Sequence, residues 1–248
     1  MEIDSNFWNG RSVFITGHSG FKGGWLSLWL KEMGANIYGY SLEASTNPNF
    51  FNIINLGSKI HNSVVGDIRD LSGLTKSMQE AKPSVIFHMA AQPLVRQSYN
   101  DPIETFTTNL IGTINVFEAA RKIETVETIV NITTDKCYEN QEWDRPYHET
   151  DRLGGYDPYS SSKACSEIAT SAYRNSFLSE AGIKLASARA GNVIGGGDWA
   201  VDRLIPDFFR SIDSNEILRI RSPQAVRPWQ HVLDPLSGYL MLAEKLVI

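Results

Sequence analysis

Along the first 190 residues, short apolar runs rich in β-branched side chains alternate with stretches long enough to be helices. Ser12–Thr16, Asn36–Tyr40, Ser63–Val65, Ser84–His88, Val126–Ile132 and Lys184–Arg189 read as six strands. Helices are predicted over Trp25–Met33, Leu71–Ala81, Ile103–Lys122 and Ser160–Glu180, with Trp25, Leu28 and Trp29 on one face of the first. Strands separated by whole helices need right-handed crossovers, and right-handed crossovers give a parallel sheet. Uninterrupted apolar strands such as Val85-Ile86-Phe87 suit a sheet covered on both faces. The expected fold is therefore α/β, a doubly wound parallel sheet. After Ala190 the alternation gives way to segments rich in Gly, Pro and charge, Gly191–Trp199 and Ser222–Pro228.

Composition narrows the functions available. A net charge of −5, from 23 Lys and Arg against 28 Asp and Glu, argues against general nucleic-acid binding, which depends on cations neutralising phosphates. No apolar stretch approaches the roughly 20 residues that span a bilayer. The N-terminus lacks the basic start and apolar run of a signal peptide. A cytoplasmic protein with no membrane partner is expected. Cys137 and Cys165 form neither a CxxC nor a Cys/His cluster, so both are expected to be buried free thiols and no metal site is expected.

Thr16-Gly17-His18-Ser19-Gly20-Phe21-Lys22-Gly23 lies directly between the first strand and the first helix. Glycines three apart allow a tight turn and let backbone approach a pyrophosphate, which the helix N-terminus then holds. In this position the GxxGxxG spacing predicts a dinucleotide, and Rossmann-type binding. The acid usually found at the end of the second strand is missing. Tyr40-Ser41 stands there, Glu43 is the nearest acid, and no basic residue waits for a 2′-phosphate, so NAD is expected rather than NADP. Asp67, after the third strand, is placed to accept from an adenine amino group, and the small Ala90 and Ala91, after the fourth, leave room for a ribose. His88 reads as a packed core histidine. Residues 1–190 are thus read as an NAD-binding domain and 191–248 as a partial, loop-rich substrate-binding region.

Tyr159 and Lys163 stand four residues apart, on one helical face. A nearby ammonium favours the phenolate, so Tyr159 is a candidate base that takes a hydroxyl proton as hydride departs. Thr134, at the end of the fifth strand, is placed beside it. Asp135 and Lys136 follow, adding an acid and a potential base beyond the needs of alcohol oxidation. That surplus points to an elimination.

Together these motifs resemble the extended short-chain dehydrogenase/reductase family, on Gly17 to Gly23, Asp67, Ala90-Ala91, Asn109-Leu-Ile-Gly112-Thr113, Thr134, and Tyr159 to Lys163. Within it the chain is most similar to the nucleotide-sugar 4,6-dehydratases. Their CDP-sugar branch is indicated by Asp135-Lys136, where the dTDP-sugar enzymes typically carry Asp-Glu. His88–Arg96, Gly154–Tyr159, Arg189–Trp199 and Arg227–Val232 carry the same likeness. The resemblance implies a hydro-lyase acting on CDP-glucose with tightly held NAD, in deoxysugar biosynthesis of the kind that feeds lipopolysaccharide O-antigen. It implies catalytic roles for Thr134, Asp135, Lys136, Tyr159 and Lys163. It implies cofactor contacts from Gly17, Ser19, Gly20, Phe21, Lys22, Gly23, Asp67, Ile68, Ala90, Ala91, Asn109, Tyr159 and Lys163. Asn192, Arg203, Leu204, Ile205 and Arg227 are the implied substrate contacts. A homo-oligomer, dimer or tetramer, is implied through the two long helices. The family's chains continue well past residue 248, so part of the substrate lobe is expected to be missing. Three alternatives stay open: a dTDP-glucose or GDP-mannose 4,6-dehydratase, a 4-epimerase, or a dinucleotide-sensing module without catalysis.

Overall fold

The structure, a computed structural model, describes residues 2–247. Its strands are β1 (Ser12–Thr16), β2 (Asn36–Ser41), β3 (Asn62–Val65), β4 (Val85–His88), β5 (Thr128–Thr134), β6 (Lys184–Ala190), β7 (Asn192–Ile194) and β8 (Trp229–His231). The first six form one parallel sheet in the order β3-β2-β1-β4-β5-β6. All six strands predicted from the alternation are present, and the parallel α/β fold is as expected.

Period-two alternation sends apolar side chains to both faces. Val13, Ile15, Phe87, Val130 and Ile132 point to one face, where they meet Leu26 and Leu30 of α2 (Phe21–Glu32). Phe14, Ile86 and Ile129 point to the other, against Leu74 and Met78 of α4 (Leu71–Ala81) and Val116, Phe117 and Ala120 of α7 (Gly112–Ala120). Each such side chain withdrawn from water contributes about 1.5–3 kcal/mol. Four further helices are short: α1 (Ser5–Trp8), α3 (Phe50–Ile53), α5 (Val95–Asn100) and α6 (Pro102–Phe106). The remaining three are α8 (Pro158–Tyr173), α9 (Leu204–Asp213) and α10 (Leu233–Val247).

Crossovers run in opposite directions from β1 and from β4. This topological switch point opens a crevice at the carboxyl ends of those strands, where ligands bind in open α/β sheets. The Gly17 turn and the Met89–Ala91 segment stand at that crevice.

Two departures from the sequence reading have local causes. The predicted helix over 103–122 is interrupted by a π-helical turn, Thr107–Ile111. The Thr107 hydroxyl donates to the carbonyls of Ile103 (2.8 Å) and Glu104 (3.1 Å), competing with the regular ladder. Residues 191–232 also hold more regular structure than their loop-like composition suggests. β7 and β8 pair in parallel, and α10 returns to the sheet, burying Leu236, Leu240 and Ala243 among the β1, β4 and β5 side chains.

The last helix is also tied to the chain's start. Trp8 is fully buried, and its indole N–H donates to the buried Glu244 carboxylate at 2.6 Å, which also accepts from the Asp4 amide at 3.1 Å. Glu244→Ala strands the buried Trp8 indole N–H without a partner, so urea unfolding should show a loss of about 1–3 kcal/mol. A loss under about 0.5 kcal/mol would mean the contact contributes nothing in solution.

Candidate active site

Gly17 ends β1 with φ +78°, a left-handed conformation, and a Cβ there would lie 2.7 Å from the Ala90 amide nitrogen. The Gly20 amide donates to the Gly17 carbonyl at 3.2 Å, which closes the turn. α2 then starts with Gly20 as its N-cap and no side-chain cap. Its first-turn amides have no intrahelical partners and lie at the positive end of the helix dipole. A Cβ on Gly23 would fall 2.1 Å from the Gly17 carbonyl oxygen, so the turn tucks beneath the helix only because residue 23 has no side chain. This cradle fits a dinucleotide pyrophosphate.

Around the cradle, Ser19 donates to the Leu42 carbonyl (2.8 Å) and accepts from the Ser41 hydroxyl (2.9 Å), while Glu43 lies exposed beyond them. Asp67 faces the same end of the sheet. Its carboxylate is gripped by Arg69 Nε at 2.9 and 3.0 Å, and that hydrogen bond holds it below the usual carboxylate range. Ile68 is buried against Gly112, and its carbonyl accepts from Asn115 at 2.9 Å. Ala90 and Ala91 line the crevice, half-buried. Asn109, set in the π turn, uses its amide elsewhere. It accepts from the Gln92 amide (2.9 Å) and donates to the Gln92 carbonyl (3.0 Å) and the Ser162 hydroxyl (2.9 Å), pinning the segment after Ala91 to α8.

Asp157 caps α8 through the Ser160 amide at 2.9 Å, and three successive turns of the helix then face the end of β5. The Tyr159 phenol neighbours the Thr134 hydroxyl, which donates to Asp135 Oδ1 at 3.0 Å. The Lys163 Nζ donates to the Ile132 carbonyl at 3.1 Å, and the Glu167 carboxylate accepts from the Thr133 hydroxyl. Burial pushes the Tyr159 phenol up to about 12, with the neighbouring Thr134 hydroxyl and the Arg203 charge pulling it down. Lys163 was expected to be the cation acting on this phenol. Its ammonium, one helical turn along α8, donates to the Ile132 carbonyl, and the Arg203 charge also bears on the phenol. Burial lowers Lys163 to about 8, opposed by Glu167.

Asp135 and Lys136 sit on the 3₁₀ turn after β5, half-buried, with Lys136 Nζ 3.7 Å from Asp135 and 3.3 Å from Asn192 Oδ1. Arg203 is paired with Asp198 at 2.8 Å. Leu204 and Ile205 begin α9 beside it. Arg227 is exposed and donates to the Val226 carbonyl, two residues before the strand that pairs with Asn192. The structure thus gathers Thr134, Asp135, Lys136, Tyr159, Lys163, Asn192 and Arg203.

Some of the constellation was not foreseen. The Lys22 side chain reaches back toward Lys163, Arg203 and Asp135, 3.5 Å from the Tyr239 hydroxyl of α10. Burial first, then the Lys163 and Arg203 charges, lower its ammonium to about 7. Arg189 of β6 is paired with Glu167 at 2.9 Å and with the Tyr138 hydroxyl at 2.8 Å. Cys137 is buried as expected, but Cys165 is only partly so. Among the described residues no His, Cys, Asp and Glu cluster is fit for a metal ion.

His88 is a core histidine, as its position suggested. It is bonded to the hydroxyls of Thr16 (2.7 Å) and Thr113 (3.0 Å), and burial lowers it to about 3. Burial lowers His18, which bonds the Ser63 hydroxyl at 2.7 Å, to about 4. Both rings are neutral when folded and titrate at their ordinary value when unfolded. Stability is therefore present above about pH 6.5 and falls as acid protonates the unfolded chain. Going from pH 7 to pH 5, the two together should cost about 4 kcal/mol. Urea unfolding at the two pH values checks this, and equal stabilities would contradict the neutral buried rings.

Comparison with known proteins adds to this geometry. Residues 14–247 match the family model described as GDP-mannose 4,6 dehydratase. A CDP-glucose 4,6-dehydratase of Salmonella typhimurium is 56% identical over 98% of this chain and 69% of its own length. A dTDP-glucose 4,6-dehydratase of Xanthomonas campestris is 26% identical, over 89% of this chain and 64% of its own. Among solved structures, DesIV, a dTDP-glucose 4,6-dehydratase from Streptomyces venezuelae with NAD and TYD bound, matches with a TM-score of 0.80 at 25% identity. That match covers 93% of this chain and 71% of DesIV. The chain spans 64% to 71% of the length of these three relatives.

Proposed function

The chain belongs to the GDP-mannose 4,6-dehydratase family, and we propose that it converts CDP-glucose to CDP-4-keto-6-deoxyglucose and water on resident NAD. The observation that carries this reading is the Asp135–Lys136 pair beside the Tyr159–Thr134 contact, an acid and an amine next to an oxidising base. The Gly17–Gly23 turn would hold NAD, which would accept the hydride from C4 and return it to C6, so no net oxidation results.

Tyr159 takes the proton of the sugar 4-hydroxyl, with Thr134 holding that oxygen. The resulting 4-ketone acidifies the C5 hydrogen. Lys136 removes the C5 proton, Asp135 protonates the departing 6-hydroxyl, and water leaves. Hydride at C6 and a proton at C5 complete the product. Gly17, Ser19, Gly20, Phe21, Lys22, Gly23, Asp67, Ile68, Ala90 and Ala91 hold the cofactor, and Asn109 holds the loop that follows Ala91. Arg203 and Arg227 are assigned to the diphosphate, Asn192 to the sugar, and Leu204 and Ile205 to the base. Residues 1–190 form the cofactor unit and 191–248 the substrate contacts, with α10 packed back on the former. The protein with CDP-glucose and NAD should form the 4-keto-6-deoxy sugar, read by its ultraviolet absorbance in alkali. With dTDP-glucose it should form at most about a tenth as much. A folded, NAD-binding protein that gives no such product from CDP-glucose would refute the assignment.

A second copy of the chain is the proposed partner. Ile103 and Ile168, at 76% and 59% exposure, lie on or beside the two long helices, as do Ile111 and Phe177. Sedimentation should give a dimer or tetramer that Ile103→Glu/Ile168→Glu dissociates, and a monomeric parent would contradict it. Among the described residues no helix is long and apolar enough to cross a membrane. A cytoplasmic site of action is proposed on that footing, and fractionation into a membrane pellet would overturn it.

A further inference from the structure

Tyr159, Lys163 and Glu167 are spaced by four, so they form one stripe along α8. The stripe meets three consecutive β5 residues: Tyr159 neighbours Thr134, the Lys163 ammonium donates to the Ile132 carbonyl, and Glu167 accepts from the Thr133 hydroxyl. The first two rungs belong to the site already described. The third is a carboxylate whose side chain is only 4% exposed, where an unpaired charge is costly. Its partners are the Thr133 hydroxyl, the Ser187 hydroxyl at 2.7 Å and Arg189 at 2.9 Å. Arg189 runs on to the Tyr138 hydroxyl at 2.8 Å and lies over that ring, which follows the Asp135–Lys136 turn. One buried group therefore ties α8 to the end of β5 that carries the catalytic side chains and to β6 beside it.

We propose that Glu167 is the counter-charge of Lys163 and a positioning residue that holds the Thr133–Lys136 end of β5 in register with α8. This rests on the reading of Tyr159 and Lys163 as the proton-handling pair. The groups facing Lys163 are Tyr159 and Glu167 on its own helix, Lys22 on α2, His88 on β4 and Cys137 after β5. Tyr159, His88 and Cys137 are neutral in the folded protein, and Lys22 repels. Glu167 supplies the negative charge. Burial alone would raise its carboxyl, but Arg189, Thr133 and Ser187 more than offset that and keep it ionised. Burial alone would strip Lys163 of its proton further, and Glu167 opposes that loss.

The test reads charge directly, by NMR of the full chain labelled with ¹³C at lysine Cε and glutamate Cδ. The two signals are assigned by their loss in Lys163→Met and Glu167→Gln. In the parent, Glu167 should be ionised at pH 7, and a protonated Glu167 overturns the proposal whatever the variants do. In Glu167→Gln the Lys163 midpoint should fall by about one pH unit or more, and the alkaline limb of turnover should fall with it. A Lys163 midpoint unmoved in the folded Gln variant refutes the counter-charge. A midpoint that moves while the alkaline limb stays put supports the counter-charge and counts against Lys163 in turnover instead. Glu167→Asp keeps the charge but shortens its reach. It should keep the midpoint while lowering turnover at every pH, and a midpoint as low as that of the Gln variant would sink the proposal.

Discussion

Tyr159→Phe should lower turnover of CDP-glucose by about 10³- to 10⁴-fold and leave NAD and substrate affinity nearly unchanged. The substitution deletes one oxygen and keeps the ring. Tyr159 is 8% exposed, so phenylalanine fills the same space and the helix stripe below it is untouched. What is lost is the group that takes the 4-hydroxyl proton. Without cofactor, burial holds the phenol at about 12 against the opposing effects of the Thr134 hydroxyl and the Arg203 charge. A base so placed depends on cations. Arg203→Met should therefore slow the oxidation step as well as weaken substrate binding. Turnover of Tyr159→Phe within tenfold of the parent would remove Tyr159 from the chemistry.

Gly23→Ala should all but abolish NAD binding and destabilise the fold by roughly 3 kcal/mol or more. The added methyl would fall 2.1 Å from the Gly17 carbonyl oxygen and 2.9 Å from the His18 Cα. Both are backbone atoms of the turn that would hold the pyrophosphate, so either that turn is expelled or the first turn of α2 unwinds. Gly20→Ala is the matched control. Its methyl meets the Gly17 carbonyl at 3.4 Å, and its backbone is extended, with φ −79° and ψ 169°. Folding tolerates it, but the methyl intrudes where phosphate must approach. NAD affinity should fall at least tenfold, about 1.4 kcal/mol, with unfolding free energy within about 1 kcal/mol of the parent. Titration with NAD and urea unfolding separate the two. Equal, small effects at both positions would mean that the turn is not the cofactor cradle.

Much of this was legible in the residues because the information is local. β1 and its Gly17 turn, the Thr134-Asp135-Lys136 strand end and the Tyr159/Lys163 spacing each lie within a few residues of chain. Period-two and helical patterns fix how such segments fold. Contacts between distant residues were not legible. Nothing near Trp8 announces Glu244, 236 residues away, and nothing near Glu167 announces Arg189 across the sheet. Glu167 did carry a faint signal, since it continues the 159, 163 spacing by one more turn. Lys22 was placed at the cofactor by its motif, but its reach to Tyr239 depends on α10 folding back over the sheet. Asn109 was read as a cofactor contact. A π turn, set off by the Thr107 hydroxyl, directs its amide to Gln92 and Ser162. β7 and β8 were missed because each is only three residues long and flanked by glycine or proline.

The central claim is that hydride leaves C4 and returns to C6 of the same sugar. CDP-glucose deuterated at C4 puts it to the test, with the product's C6 read by mass spectrometry and NMR. Deuterium at C6 of the 4-keto-6-deoxy product, with solvent hydrogen at C5, is the predicted result. Product that carries solvent hydrogen at C6, or deuterium restored to C4 of an epimerised sugar, would contradict it.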